Sequence, residues 1–100
     1  MSLETVVQAI DAKRAEAAHL NAKILFDFGE DGAVFIDATQ NPPEILQEKR
    51  DADVTLSCAL ETFESILNGT QDPNVAFMFG KLKIQGNMKL AMKLNAFLEE

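Results

Sequence analysis

Between Phe77 and Leu94 the chain reads Phe-Met-Phe-Gly-Lys-Leu-Lys-Ile-Gln-Gly-Asn-Met-Lys-Leu-Ala-Met-Lys-Leu, eighteen residues that change structural type three times. An aromatic turn ends at Gly80. Lys81 to Gln85 then alternates polar and apolar, the period-2 pattern of a strand with one buried face. Gly86 breaks that strand, and Asn87 is a good N-cap for a final helix running toward Leu98. Phe77, Phe79, Met88 and Met92 are aromatic or polarizable. Methionine fills irregular space and adapts to changing shapes, which suits a core with a guest in it.

The final helix departs from a simple amphipathic pattern. At about 100° per residue, Leu90, Leu94, Phe97 and Leu98 share one face, while Met88 and Met92 sit on a flank well away from it. Lys89 and Lys93 occupy a narrow strip. A helix with this much apolar surface touches more than the sheet beneath it: a ligand, a partner chain or another helix. Ordinary core packing from two sides is the plainer alternative.

The rest of the chain supplies partners for that segment. Residues 3 to 22 read as a helix with Ser2 as N-cap and an apolar stripe of Leu3, Val6, Val7, Ile10, Ala17, Ala18 and Leu20. Lys23 to Phe28 reads as a strand with Ile24, Phe26 and Phe28 on one face, and Asp31-Gly32 signals a hairpin into a second strand, Ala33 to Ala38. Phe35 points away from Val34 and Ile36, so both faces of that strand are expected to be covered. Pro42-Pro43 forbids ladder donors. Glu44 to Glu48 reads as a third strand, with a helical turn as the alternative, and Ala52 to Ser57 as a fourth. Leu60 to Asn68 is a helix with Phe63, Ile66 and Leu67 inward and Gly69 as its C-terminal cap. Asp72-Pro73 starts a short helix that Gly80 ends. Strands grouped before helices favour an α+β sheet with helices on one face, in one domain over residues 1–100.

Charge and cysteine content narrow the function classes. A net charge of −7 argues against nucleic acid as a partner. Residues 73 to 98 nonetheless carry Lys81, Lys83, Lys89 and Lys93 and no acid. That local excess is either a solvated lysine face or a weak docking patch for an anionic membrane surface or acyl-CoA phosphates. No apolar run approaches the ~18 residues a membrane span needs, and no secretory or lipidation signal is visible. The single cysteine, Cys58, fits a reducing compartment, so a cytoplasmic location is expected.

Catalytic machinery is thin. His19 stands in an alanine-rich helix, and Cys58 ends a strand with no neighbouring basic cluster to depress its pKa. One His and one Cys do not make a metal site, and the five glycines form no phosphate loop. No catalytic residue, cofactor or metal is expected.

The segment from Ala52 to Leu94 resembles the sterol carrier protein type two domain family. The resemblance is carried by Ala52-Asp53-Val54-Thr55-Leu56-Ser57, by Phe63 with Ile66-Leu67-Asn68-Gly69, and by Pro73 with Ala76-Phe77-Met78-Phe79. Its most specific part is Gly80-Lys81-Leu82-Lys83-Ile84-Gln85-Gly86-Asn87-Met88 with Leu90-Ala91-Met92-Lys93-Leu94. Phe26-Asp27-Phe28, Asp31-Gly32 and Asp37 fit the family's first hairpin more loosely. Leu60 stands near where the family often has an acidic helix cap, and the peroxisomal tripeptide of eukaryotic members is absent. The chain looks like a stand-alone bacterial version, a group that includes accessory factors of quinone synthesis.

The resemblance implies a five-stranded mixed sheet covered by helices, with an apolar tunnel that the last helix lines or gates. It implies non-enzymatic binding and transfer of a lipid: a fatty acid, acyl-CoA, phospholipid, sterol or quinone. The expected tunnel residues are Phe77, Phe79, Leu82, Ile84, Met88, Met92 and Leu94, with Phe26 and Phe63. Lys81, Lys83 and Lys89 are the expected headgroup or membrane contacts at its mouth. The rival reading is a protein interaction module or homodimer that uses the apolar face of residues 88 to 98.

Overall fold

The computed structural model describes residues 3–98. Its centre is a five-stranded sheet in the order β3-β2-β1-β4-β5, built from β1 (Lys23–Asp27), β2 (Ala33–Asp37), β3 (Glu44–Leu46), β4 (Val54–Cys58) and β5 (Leu82–Gly86). β1 and β4 run parallel, and the other neighbours are antiparallel, so the sheet is mixed. The first hairpin closes through a turn at Gly29–Asp31, with the Phe28 N–H donating to the Gly32 carbonyl at 2.9 Å. Cross-strand registers place Phe26, Leu56 and Ile84 in one row on the helix-covered face. They place Asp27, Ser57 and Lys83 in the matching row on the other face. The period of two along each strand thus separates an apolar interior from a polar exterior.

The helices are α1 (Leu3–Ala12), α2 (Arg14–Ala17), α3 (Leu60–Asn68), α4 (Pro73–Met78) and α5 (Met88–Leu98). With the sheet they enclose a core in which Ile10, Ile24, Phe26, Val34, Ile36, Val54, Phe63 and Leu94 are wholly buried. Phe63 is its aromatic centre, with ring centroids 5.0 Å from Phe26 and 5.1 Å from Phe28 in tilted contacts. Tilted pairs of this kind contribute about 0.5–1.5 kcal/mol beyond burial. Across the sheet a smaller cluster joins Leu25, Ala33 and Phe35 to Leu46 and Ala52, so both faces of β2 are covered.

The fourth strand, expected from Ala52 to Ser57, runs instead from Val54 to Cys58, and three larger differences from the sequence expectation follow. The helix predicted over residues 3 to 22 is broken at Lys13, which has φ −102° and ψ 12°, and it ends in a 3-10 turn at Ala18–Leu20. Lys13 leaves the helix where its ammonium donates to the Phe97 carbonyl at 3.0 Å, a tertiary contact with no local signature. The expected cap at Ser2 lies outside the described residues. Gly86 does not break the strand but is its last paired residue, opposite Val54. Its φ is +105°, and a Cβ there would stand 2.4 Å from the Asp53 carbonyl oxygen, so only glycine lets β5 close on β4 at this point. The predicted third strand shrinks to Glu44–Leu46, an edge strand of three residues beside the proline pair. The helix from Leu60 starts where expected, with Ala59 in the cap position and no side-chain cap bond.

Candidate functional site

Two local signals set up the groove between α4 and α5. The Asp72 carboxylate accepts from the Asn74 N–H at 2.8 Å, and Pro73, which has no N–H to satisfy, occupies the first turn, so α4 starts at a defined cap. Asn87 Oδ1 accepts from the Leu90 N–H at 3.1 Å and starts α5 directly after the Gly86 close approach. The two helices therefore leave β5 at its opposite ends and flank it.

Between them lies a groove of about 350 Å³. Its floor is Leu56 of β4 with Leu82 and Ile84 of β5. One wall is Pro73, Asn74 and Phe77 of α4, and the other is Met88, Ala91, Met92, Asn95 and Leu98 of α5. Nine of these eleven residues are apolar and none is charged. Phe77, Met88 and Met92 form the rim and are 46%, 52% and 76% exposed. The two asparagines meet across the groove, Asn95 Nδ2 donating to Asn74 Oδ1 at 3.5 Å. Asn95 Oδ1 is buried and has no hydrogen-bond partner among the described residues.

Five of the expected tunnel residues come together here: Phe77, Leu82, Ile84, Met88 and Met92. The other four stand elsewhere, each for a physical reason. Leu94 lies on the core face of α5 and is fully buried. Phe26 and Phe63 pack on each other in the core, where both are wholly buried and neither lines the groove. Phe79 follows the last turn of α4, is 75% exposed and lies outside the groove lining.

Leu56, Pro73, Asn74, Ala91, Asn95 and Leu98 complete the lining and were missing from the sequence expectation. A signal for two of them exists: Ala91 and Asn95 fall with Met88 and Met92 at i, i+3, i+4 and i+7, one face of a helix.

The lysines are not distributed as expected. Lys81 and Lys83 line a second pocket of about 310 Å³ together with Asp27, Phe28, Gly29, Ser57, Cys58 and Gly80. The strand alternation puts Lys83 on the sheet face opposite the groove, so it does not stand at the groove's mouth. Lys89 and Lys93 are exposed on α5. Among the described residues, no ion pair involves any of the four.

Cys58 is partly buried, and desolvation pushes its thiol up to about 12, so it is a protonated thiol at neutral pH. His19 is exposed. Among the described residues there is no group of three or more His, Cys, Asp or Glu that could hold a metal ion. No described helix is long and apolar enough to cross a membrane.

A family model described as the SCP-2 sterol transfer family matches residues 3–99. "Hydroxysteroid dehydrogenase-like protein 2" of Bos taurus is 41% identical over 75 residues, which is 72% of this chain and 18% of that protein. "Sterol carrier protein 2" of Homo sapiens is 37% identical over 67 residues, 66% of this chain and 12% of that protein. The chain therefore spans less than a fifth of the length of either relative. Among solved structures, sterol carrier protein 2 from Yarrowia lipolytica in its apo form aligns with a TM-score of 0.71 at 27% identity, covering 87% of this chain and 74% of that chain.

Proposed function

Because the chain belongs to the SCP-2 sterol transfer family, we propose that it is a non-enzymatic lipid-binding and transfer protein that takes an apolar chain into the groove between α4, β5 and α5. One observation carries this reading: a groove of about 350 Å³ has nine apolar residues and no charge among its eleven lining residues. That volume lies at the lower end of small-molecule sites, which run from about 300 to 1,000 Å³. A chain of roughly twelve CH₂ groups moved from water into such a groove gains on the order of 10 kcal/mol at ~0.8 per CH₂, before the costs of association. The gain needs no specific polar contact, so selectivity among fatty acid, acyl-CoA, phospholipid, sterol and quinone is loose. Phe77, Leu82, Ile84, Met88 and Met92 are the proposed contacts.

Partition rather than catalysis suits the side chains present. The high pKa of Cys58 removes the thiolate that a nucleophile needs. The matched stretch is 18% of the bovine relative, which leaves room for its dehydrogenase-like part elsewhere in that chain. A half-buried, unpaired Cys58 suits a reducing compartment, and we place the protein's work in the cytoplasm.

Exposed Met88 and Met92 favour one other reading, in which residues 88 to 98 are a homodimer or partner interface. Native mass spectrometry of freshly purified protein, followed by titration with a fluorescent fatty acid, separates the two. Lipid binding predicts a co-purified or titratable lipid at one per chain, and Met92→Trp, which fills the rim, weakens uptake at least tenfold in a folded protein. A lipid-free dimer that takes up no probe would overturn the groove reading.

A further inference from the structure

The end of α4 and the flank of α5 carry apolar side chains that no element covers. Met78 is 80% exposed, Phe79 75% and Met92 76%. Single exposed apolar side chains are ordinary, but a cluster of them beside a groove marks an interaction surface. Met78 and Phe79 do not line the groove, so holding a ligand does not account for them.

The charge around this rim is one-sided. Lys89 and Lys93 follow Met88 and Met92 on α5, and residues 73 to 98 contain no acid. The rest of a chain of net charge −7 is acidic.

Two occupants of the rim can be weighed on charge. A second copy in a symmetric dimer lays the same patch on itself, so the Lys89 and Lys93 of one copy would meet those of the other, a repulsive arrangement. An anionic bilayer is complementary. Methionine and phenylalanine enter the headgroup–acyl boundary, and lysines keep their stems on apolar surface while their heads meet phosphate or carboxylate. The acidic remainder of the molecule is repelled by the same surface, which orients the rim toward it.

We propose that this rim is a membrane-docking edge. Met78 and Phe79 insert into an anionic leaflet, Lys89 and Lys93 bind its headgroups, and Lys81 and Lys83, which share the second pocket, take no part. Docking stands on the rim alone. Its use in letting a chain pass from leaflet to groove without crossing water rests on the lipid-binding reading above.

The test is cosedimentation with vesicles of phosphatidylcholine, with and without phosphatidylserine, alongside fluorescent fatty acid uptake from solution. The wild-type chain is expected to bind the phosphatidylserine vesicles and to release them as salt rises. Met78→Asp/Phe79→Asp and, separately, Lys89→Glu/Lys93→Glu each lower vesicle partition about tenfold or more, with melting temperature and fatty acid uptake unchanged. Undiminished vesicle binding in both variants would overturn the docking edge. So would salt-independent binding to pure phosphatidylcholine, or a solution dimer that Met78→Asp/Phe79→Asp dissolves. Lost fatty acid uptake with vesicle binding intact in the wild-type chain would instead overturn the groove reading and leave docking standing.

Discussion

The two flanks of α5 differ more than any two halves of the sheet. Leu90, Leu94, Phe97 and Leu98 are 5%, 0%, 6% and 1% exposed, while Met88 and Met92 on the neighbouring flank are 52% and 76% exposed. One helix thus seals a core and walls an open groove at the same time. The residue types follow the division. Branched leucine with few rotamers packs the sealed side, and unbranched methionine lines the open groove. A close-packed core resists substitution, whereas a groove rim tolerates it, and mutagenesis can measure that contrast.

The sealed side should give the largest effects. Phe63→Ala removes the ring that holds Phe26 and Phe28 together and is expected to cost about 3–5 kcal/mol, read as a lowered urea midpoint. On α5 itself, Leu94→Ala should cost about 2–5 kcal/mol, and Met92→Ala, two residues away and 76% exposed, less than about 0.5 kcal/mol. Equal losses at the two positions would break the division of the helix. Asn87→Ala removes the side-chain cap that starts both flanks and should cost about 1 kcal/mol, with reduced helical signal at equal urea.

The smallest effect lies far from the groove. Asp37 has its carboxyl held below its ordinary pKa, chiefly by the Thr39 hydroxyl, against the opposing effect of burial, with further help from the Thr39 N–H at 3.0 Å. A depressed carboxylate pKa stabilises the fold above the unfolded-state value, and that stability is lost as pH falls through the folded-state value. Thr39→Ala should therefore lower the melting temperature slightly at neutral pH, with the pH-dependent part of the difference closing in acid below the ordinary carboxylate range.

Local chemistry was readable in the sequence where it is self-contained. The Asp72-Pro73 cap, the Asn87 cap, the left-handed Gly69 and the alternation of β5 each depend on a few adjacent residues, and each stands as expected. The family motif supplied the five-stranded mixed order, which composition could not. What escaped depends on distant partners. Lys13 breaks its helix beside Phe97, and Gly86 is required by the Asp53 carbonyl rather than by its own neighbours. The groove was readable in part. Residue type singles out Phe77, Met88 and Met92, which line the groove, but it singles out Phe26 and Phe63 equally, because an aromatic ring gives the same signal in a core as beside a groove. Asn95 was passed over because a polar residue in an apolar stripe gives no hydrophobic signal.

The attachment of α5 at both ends governs how it can respond to a guest. At its start the Asn87 N–H donates to the Asp53 carbonyl at 2.9 Å, and at its finish the Lys13 ammonium holds the Phe97 carbonyl, placing a cation at the negative end of the helix dipole. A rod anchored at both tips can roll about its long axis but cannot swing like a lid. A bulkier guest would then be accommodated by rotation, with the methyl resonances of Met88 and Met92 moving while the amides of Asn87 and Phe97 keep their shifts.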